Sequence, residues 1–325
     1  MPLNIDSITV DPGLALAPMA GITGHPFRLL AKEQGCRLLF SEMVSAKGLV
    51  YNNRRNRSLL YFTEEERPIG FQLFGSEPVI LAEAAKHLEQ HGADFIDLNL
   101  GCPTPKITRN GEGGALMRRP GLCSRIFEVV VKAVACPVTV KLRKGWNEQE
   151  ANVLDITARA EAAGVSAVTV HGRTVDQGYS GRADWAVIAA VKQSLNIPVI
   201  GNGDIDSPEA AEAMLSSCGC DGIMIGRAAR GYPWIFNAVL ARLQKKPAPS
   251  SPTIDEIVNT ALRHFSLLSA IIGEPAAARE MRRHFAWYIK GLPGASAARQ
   301  QLIRISSFKE AESALRDFSC KVEKH

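Results

Sequence analysis

The chain of 325 residues contains no uninterrupted apolar run of 18 residues, so it offers no candidate for a membrane-spanning helix. Its amino terminus, Met1-Pro2-Leu3-Asn4-Ile5-Asp6, lacks the basic stretch and apolar segment of a secretory leader, and the chain is expected to stay in the cytoplasm. Seven cysteines, at positions 36, 102, 123, 136, 218, 220 and 320, form neither an even disulfide framework nor a pair of CxxC knuckles. Most are expected to be small buried side chains. Cys218-Gly219-Cys220 completes no metal site, and without an HxH, an HExxH or a carboxylate cluster no metal is indicated. No low-complexity tract or internal repeat stands out, and a composition 46% hydrophobic and 22% charged excludes disorder and collagen.

What the chain does have is a rhythm. Short β-branched or apolar runs bounded by turn residues fall at Leu14–Ala17, Leu38–Ser41, Ile69–Phe74, Phe95–Leu100, Pro137–Leu142, Ala167–His171, Pro198–Gly201 and Gly222–Gly226. Segments of helical periodicity separate them, such as Pro78–His91 and Val153–Ala163, each closed by a glycine. Eight βα units in succession predict a (β/α)8 TIM barrel over residues 1–244, with a doubly wound open sheet as the alternative. The pattern changes at the Pro/Ser-rich stretch Lys245–Pro252, and residues 253–325 carry only helical signals, predicting a small all-helical domain. Charge is divided the same way. Residues 241–325 hold 14 Lys+Arg against 8 Asp+Glu, or +6, which leaves 24 against 25, or −1, for the remainder of a chain whose net charge is +5.

A barrel places chemistry at the C-terminal ends of its strands. The polar residues fall there: Ala17-Pro18-Met19-Ala20-Gly21 after strand 1, Gln72 in strand 3, Asn99-Leu100-Gly101-Cys102-Pro103 after strand 4, Lys141 and Arg143 in strand 5, His171-Gly172-Arg173 after strand 6. Gly201-Asn202-Gly203-Asp204 and Gly226-Arg227 follow strands 7 and 8, where glycines let backbone N–H groups approach an anion and a guanidinium can clamp it, so these turns predict a phosphate site. Lys141 is expected to point into the mouth as a Schiff-base nucleophile, a phosphate ligand or a fixed positive charge. With Gln72 across the barrel, it suits the pyrimidine edge of a flavin, whose reduced form is anionic near N1 and C2=O. Cys102, in a Gly-Cys-Pro loop near Lys106 and Arg109, could be an activated thiolate or a neutral general acid. His171 is a candidate ligand to phosphate or to the reacting heterocycle, or a structural rim histidine.

In the tail, Met281, Phe285 and Tyr288 make an apolar stripe, while Arg279, Arg283, Trp287 and Lys290 fall on another face. A cationic stripe interrupted by an aromatic suits a polyanion with stackable bases, that is, RNA.

These pieces together resemble the tRNA-dihydrouridine synthases, the bacterial B-type branch above all. The resemblance is carried by Ala17-Pro18-Met19-Ala20-Gly21, Ser41-Glu42-Met43, Gln72-Leu73-Phe74-Gly75, Asp97-Leu98-Asn99-Leu100-Gly101-Cys102-Pro103, Lys141-Leu142-Arg143, His171-Gly172-Arg173-Thr174, Gly201-Asn202-Gly203-Asp204-Ile205 and Gly226-Arg227. It implies an FMN-binding barrel with a C-terminal tRNA-binding helical domain, reduced by NADPH and acting on tRNA, and no obligate protein partner is inferred. Under that resemblance Pro18, Met19 and Ala20 line the flavin, Gln72 and Lys141 bond its ring edge, and Asn202, Gly203, Asp204, Gly226 and Arg227 hold ribityl and phosphate, with His171 beside them. Cys102 is the implied proton donor. The C5=C6 bond of uracil is conjugated to the C4 carbonyl, so hydride from flavin N5 adds at C6 and the enolate is protonated at C5 by a thiol that begins protonated. Asn99 and Arg173 are candidates for the uracil edge, and Lys106, Arg109, Arg143 and the tail stripe for the RNA backbone around an extruded base. The rival expectations are a flavin enzyme acting on a free pyrimidine, of dihydroorotate or dihydropyrimidine type, a sugar-phosphate barrel without flavin, and an RNA-binding barrel without turnover.

Overall fold

The computed structural model describes residues 2–51 and 57–322. Met1 and residues 323–325, the outer ends of the two predicted domains, lie outside the described residues, as do 52–56. The strands are β1 (Leu3–Ile5), β2 (Ile8–Val10), β3 (Leu14–Leu16), β4 (Leu39–Ser45), β5 (Ile69–Phe74), β6 (Phe95–Leu100), β7 (Val138–Arg143), β8 (Ala167–His171), β9 (Val199–Asn202) and β10 (Gly222–Ile225). The helices are α1 (His25–Glu33), α2 (Ala46–Val50), α3 (Arg57–Leu60), α4 (Pro78–Gln90), α5 (Pro105–Thr108), α6 (Pro120–Val131), α7 (Val153–Ala162), α8 (Trp185–Ser194), α9 (Pro208–Cys218), α10 (Ile235–Leu243), α11 (Ile254–Ile272), α12 (Glu274–Tyr288), α13 (Ala295–Leu302) and α14 (Phe308–Val322).

The sheet runs β3-β10-β9-β8-β7-β6-β5-β4, all parallel. A bridge between Ala15 and Leu38 joins its two edges, with Leu16 N–H donating to Leu38 C=O at 3.0 Å and Leu38 N–H to Leu14 C=O at 3.1 Å. The sheet is therefore a closed barrel, not a doubly wound open one, and all eight predicted strands belong to it. Alternation along each strand divides the core into two. Ile96, Leu98, Leu100, Val138, Val140 and Leu142 face outward onto the helices, while Phe95, Asp97, Asn99, Thr139, Lys141 and Arg143 take the alternate positions facing inward.

The amino-terminal hairpin is absent from the sequence reading. Leu3, Ile5 and Val10 of β1 and β2 pack with Phe40, Phe95, Ala167, Ile200 and Met224, closing the N-terminal end of the barrel with apolar side chains. Asp6, in the left-handed region at φ 49°, makes the turn between two three-residue strands, too short to show a period of two.

Helices begin and end where chain chemistry dictates. Proline stands in the first turn of α4, α6 and α9, where its missing N–H is harmless. The Ser207 hydroxyl accepts from Ala210 N–H at 3.1 Å to start α9, and Gly219 ends it at φ 63°. Thr253 and Glu256 cap α11 reciprocally, by bonds of 3.2 and 2.7 Å. Helices α11–α14 enclose a second apolar core of their own around Val258, Phe265, Met281, Phe285 and Leu315, and the exposed 245–250 stretch leads into them. No helix among the described residues is long and apolar enough to cross a membrane.

The helical unit docks on the barrel. Arg263 pairs with Glu33, the Phe27 and His264 rings lie 5.8 Å apart, and the Arg230 guanidinium sits 5.2 Å from the Trp287 ring centre. At the tightest point Gly231, at φ 67°, meets α12 so closely that a Cβ there would lie 2.4 Å from the Trp287 carbonyl carbon. Gly231→Ala must move backbone against backbone. A loss of about 1–3 kcal/mol is expected, read as a lower urea midpoint; an unchanged midpoint would show that the seam is loosely held.

Candidate active site

The inward positions of β5 to β7 place polar groups side by side in the barrel mouth. Strand register sets Gln72 beside Asp97, Asp97 beside Thr139, and Asn99 beside Lys141. Thr139 Oγ1 donates to Asp97 Oδ1 at 2.7 Å, Gln72 Nε2 to Asp97 Oδ2 at 2.6 Å, and Asn99 Nδ2 to Gln72 Oε1 at 2.7 Å. Asn99 Oδ1 then accepts from Gly101 N–H at 3.2 Å and from Cys102 N–H at 3.0 Å. Burial raises Asp97 to about 6, although the Gln72 and Thr139 bonds and the Lys141 charge pull it down.

Cys102 is only 9% exposed and stands on the loop these bonds fix. Its thiol donates to Thr104 Oγ1 at 3.3 Å, its carbonyl accepts from Gly114 N–H at 3.0 Å, and Gly113, at φ 58°, leaves no room for a Cβ beside it. Lys141 Nζ donates to Asn202 Oδ1 at 2.9 Å, and Asn202 Nδ2 to Met224 C=O at 2.7 Å. Burial, then repulsion from Arg143, lowers Lys141 to about 8, and Asp97 opposes the shift. His171 Nδ1 accepts from Arg173 N–H at 3.2 Å, so its Nε2 faces the Gly203 turn as the N–H. Burial, reinforced by Lys141, Arg143, Arg173 and Arg227, keeps His171 neutral.

The last two turns come together as expected of neighbours in the sheet. Asp204 accepts from Arg173 Nη2 at 2.8 Å, Arg227 Nη2 at 3.0 Å and Ala183 N–H at 2.8 Å, which together hold its carboxylate acidic against the penalty of burial. A cleft of about 730 Å³ opens here, lined by Arg173, Tyr179, Arg182, Trp185, Asp204 and Arg227. Arg173 is 2% exposed, and its Nη1 is buried without a partner. A buried guanidinium N–H left unpaired beside a cationic cleft matches the needs of an anion.

Some expected residues land elsewhere than their spacing suggested. Arg173, named for the uracil edge, lies with the anion cleft, its Nε and Nη2 also spent on the Ser180 and Gly181 carbonyls at 2.9 and 2.6 Å. Arg143, named for the RNA backbone, is buried, and its Nη1 braces the 174–178 loop through the Thr174 and Gly178 carbonyls, each at 2.7 Å. Trp287 is half-buried in the domain seam under Arg230, and the Arg283 guanidinium rests against Gly21 of the β3 loop. In both cases docking of α12 on the barrel uses a face that periodicity alone leaves open. Lys106, Arg109, Arg279 and Lys290 are exposed, Pro18 and Met19 are half-buried at the mouth, and Ala20 is exposed. Gly226 borders Ala17 and Met19.

The sequence reading also missed Tyr179, whose ring lies 4.7 Å from the Arg227 and 5.5 Å from the Arg143 guanidinium carbon. Glu42, quoted above within a motif but given no role, accepts from Gly21 N–H. Asp97 carried a signal that could have been used: an acid at the period-two position of Asn99 in an otherwise apolar strand.

Fold and site define a (β/α)8 barrel with an anion cleft, a buried cation and a rim thiol at the C-terminal ends of its strands, joined to a helical domain. Residues 15–323 match the family described as dihydrouridine synthase (Dus). The chain is 42% identical to "tRNA-dihydrouridine synthase B" of Xanthomonas campestris pv. campestris, covering 97% of this chain and 95% of the relative. It is 39% identical to the protein of the same name from Pseudomonas aeruginosa, with the same coverage, and 40% identical to "Probable tRNA-dihydrouridine synthase 1" of Synechocystis sp., covering 97% and 88%. Histamine dehydrogenase from Rhizobium sp. 4-9 shares the fold, with a TM-score of 0.57 and 13% identity over 99% of this chain, which spans 64% of that larger one. A variant of NCR from Zymomonas mobilis does so with a TM-score of 0.56 and 18% identity over 79% of this chain and 94% of its own. The chain belongs to the dihydrouridine synthase family.

The lowered Lys141 has a consequence for stability. Between about 8 and its ordinary 10.5 the unfolded chain binds a proton that the flavin-free folded chain does not, so this lysine makes stability rise with pH across that window. Lys141→Met should remove that part of the rise, measured as the difference between the wild-type and variant urea midpoints at pH 7.5 and 10. A pH-independent difference would contradict the burial argument.

Proposed function

We propose that the protein is a tRNA-dihydrouridine synthase, a cytoplasmic oxidoreductase that reduces the C5=C6 bond of specific tRNA uridines with FMN as its flavin and NADPH as the source of electrons. The observation that carries the reading is the loop of Cys102, a thiol pinned at the barrel rim by the Asn99 amide. Family membership supplies the reaction class, and the rim supplies residues that suit it.

The residues present fit a flavin mononucleotide. Arg227, the unpaired Nη1 of Arg173 and the Gly203 turn suit its phosphate, with neutral His171 beside them. Lys141 suits the electron-rich edge of the ring, and Gln72 retains one N–H and one lone pair beyond its bonds to Asp97 and Asn99. Pro18, Met19 and Ala20 form the neighbouring wall. When bound, the flavin supplies the two electrons as hydride to C6 of the uracil.

The chain's own part is to hold the base and move one proton. The extra electron pair on the uracil ring is delocalised onto the C4 carbonyl as an enolate, which Cys102 quenches by giving its thiol proton to C5. The Thr104 hydroxyl, bonded to the sulfur and exposed on its other side, provides the route by which a solvent proton restores the thiol. Asn99 already uses both lone pairs of its Oδ1 on the loop, and one Nδ2 hydrogen on Gln72. Its other hydrogen rests on Met43 Sδ at 3.2 Å, a weak acceptor that a uracil carbonyl can replace. Lys106, Arg109, Arg279, Arg283 and Lys290 are exposed cations suited to the RNA backbone, and the target base must leave its stack to reach the mouth.

Nucleoside mass spectrometry of tRNA from cells with and without the gene tests the reaction directly: loss of dihydrouridine at defined positions is expected, and unchanged dihydrouridine in a strain with no other synthase refutes it. Cys102→Ala should keep its flavin and its reduction by NADPH while tRNA reduction slows by about 10²–10⁴-fold, followed by stopped-flow absorbance. Loss of flavin from that variant instead would remove Cys102 from the role of acid.

A further inference from the structure

We infer that Asp97 is a positioning residue for the reaction: from the buried floor of the mouth it sets the orientation of the Gln72 and Asn99 amides, and through them the loop that presents Cys102. The inference rests on the proposed role of Cys102 as proton donor.

The argument is one of donor and acceptor direction. An ionised carboxylate can only accept, and Asp97 accepts at both oxygens, from Thr139 at 2.7 Å and from Gln72 Nε2 at 2.6 Å. The Gln72 amide therefore has its nitrogen toward Asp97 and its oxygen toward Asn99. That oxygen takes Asn99 Nδ2 at 2.7 Å, which leaves Asn99 Oδ1 toward the loop, where it receives the N–H groups of Gly101 and Cys102. Turning either amide over sets donor against donor in a buried site, so one charge fixes the direction of every bond in the chain. Gln72 and Asp97 are fully buried and Asn99 nearly so, which leaves no water to satisfy a reversed amide.

The groups that face Asp97 are few. Strand β5 presents Gln72, whose own N–H donates to Ser41 Oγ of β4 at 3.0 Å, and β7 presents Thr139 and the only charged neighbour in this set, Lys141. A proton on Asp97 adds a donor where the chain needs an acceptor, so the arrangement weakens as pH falls through about 6.

The experiment uses holoenzyme with Asp97→Leu, which removes the acceptors, and with isosteric Asp97→Asn, which keeps the volume and lets either amide orientation stand. Flavin reduction by NADPH and reoxidation by tRNA are followed separately by absorbance. Reduction is expected to fall by the smaller factor, since Gln72 and Lys141 also border the flavin edge, while reoxidation falls by about tenfold or more in Asp97→Leu, as misplacing a reacting group predicts. In wild type, reoxidation should decline as pH falls through about 6, and Asp97→Asn should lack that limb. Equal losses in both half-reactions, or a limb that persists in Asp97→Asn, overturn the inference.

A readout without turnover separates this from the functional reading. Alkylation of Cys102 by iodoacetamide in flavin-free protein, resolved from the other cysteines by peptide mass spectrometry, should be severalfold faster in both variants because the loop is released. Unchanged alkylation overturns the positioning role whatever the substrate. Wild-type protein that tRNA cannot reoxidise, with alkylation faster in the variants, overturns the tRNA reading and leaves the positioning role standing. Should Asp97→Leu fail to fold, Asp97→Asn carries both readouts.

Discussion

A parallel barrel turns every second side chain into its own interior, and near the mouth that interior holds amides, a carboxylate and an ammonium group away from water. Each must find a partner inside the barrel. Neighbouring strands provide most of them, because register fixes which inward side chains meet, Gln72 with Asp97 and Asp97 with Thr139, while Lys141 reaches past β8 to Asn202, two strands away. The far end has the opposite character. There Leu3, Ile5, Phe40 and Phe95 fill the space with apolar groups, and the hairpin of β1 and β2 closes it. This polarity from floor to mouth leaves the buried bonds stiff below and the loops open to a ligand above.

The second constraint is the seam between barrel and helical domain. Helix α12 reaches the active-site rim at Gly21, whose N–H donates to Glu42 and whose Cα hydrogens face the Arg283 guanidinium so closely that a Cβ would stand 2.5 Å from Nη2. Gly21 ends the Pro18–Ala20 wall, and Thr23, two residues on, holds that wall by accepting from Met19 N–H at 2.8 Å. Beneath it, Arg28 donates to the Thr23 carbonyl at 3.0 Å and is itself anchored on buried Glu66 at 2.6 Å. One face of the mouth is thus built jointly by both domains. The helical domain bears directly on the rim of the mouth.

Much of the fold was legible in the chain because the physics that sets it is local. Eight short apolar runs with turn residues between them name the strands, and Lys141 betrays its inward direction by falling between Val140 and Leu142, which face out. The hairpin at the amino terminus escaped because strands of three residues are too short to show alternation. Asn99 and Cys102 were legible as candidates, but the acceptor that orients them was not. Asp97 shows in the chain as an acid two residues before Asn99, but what it orients depends on its neighbours across the sheet. Arg143 and Arg173 illustrate the converse. A strand-end arginine is equally suited to a phosphate outside or a carbonyl inside, and only the path of the 172–184 loop decides that Arg143 braces it, while Arg173 braces it through Nε and Nη2 and keeps Nη1 unpaired in the cleft.

The sequence by itself determined the alternation that closes a barrel, the glycines that turn at its rim, the thiol loop and the concentration of positive charge in the tail, since each is written in neighbouring residues. Tertiary structure alone decided which polar groups pair across strands, where α12 lies, and that Trp287 and Arg283 come to lie beside the barrel. Those outcomes depend on packing between segments far apart in the chain, where the register of one strand against the next, and of one helix against a loop, assigns each donor its acceptor.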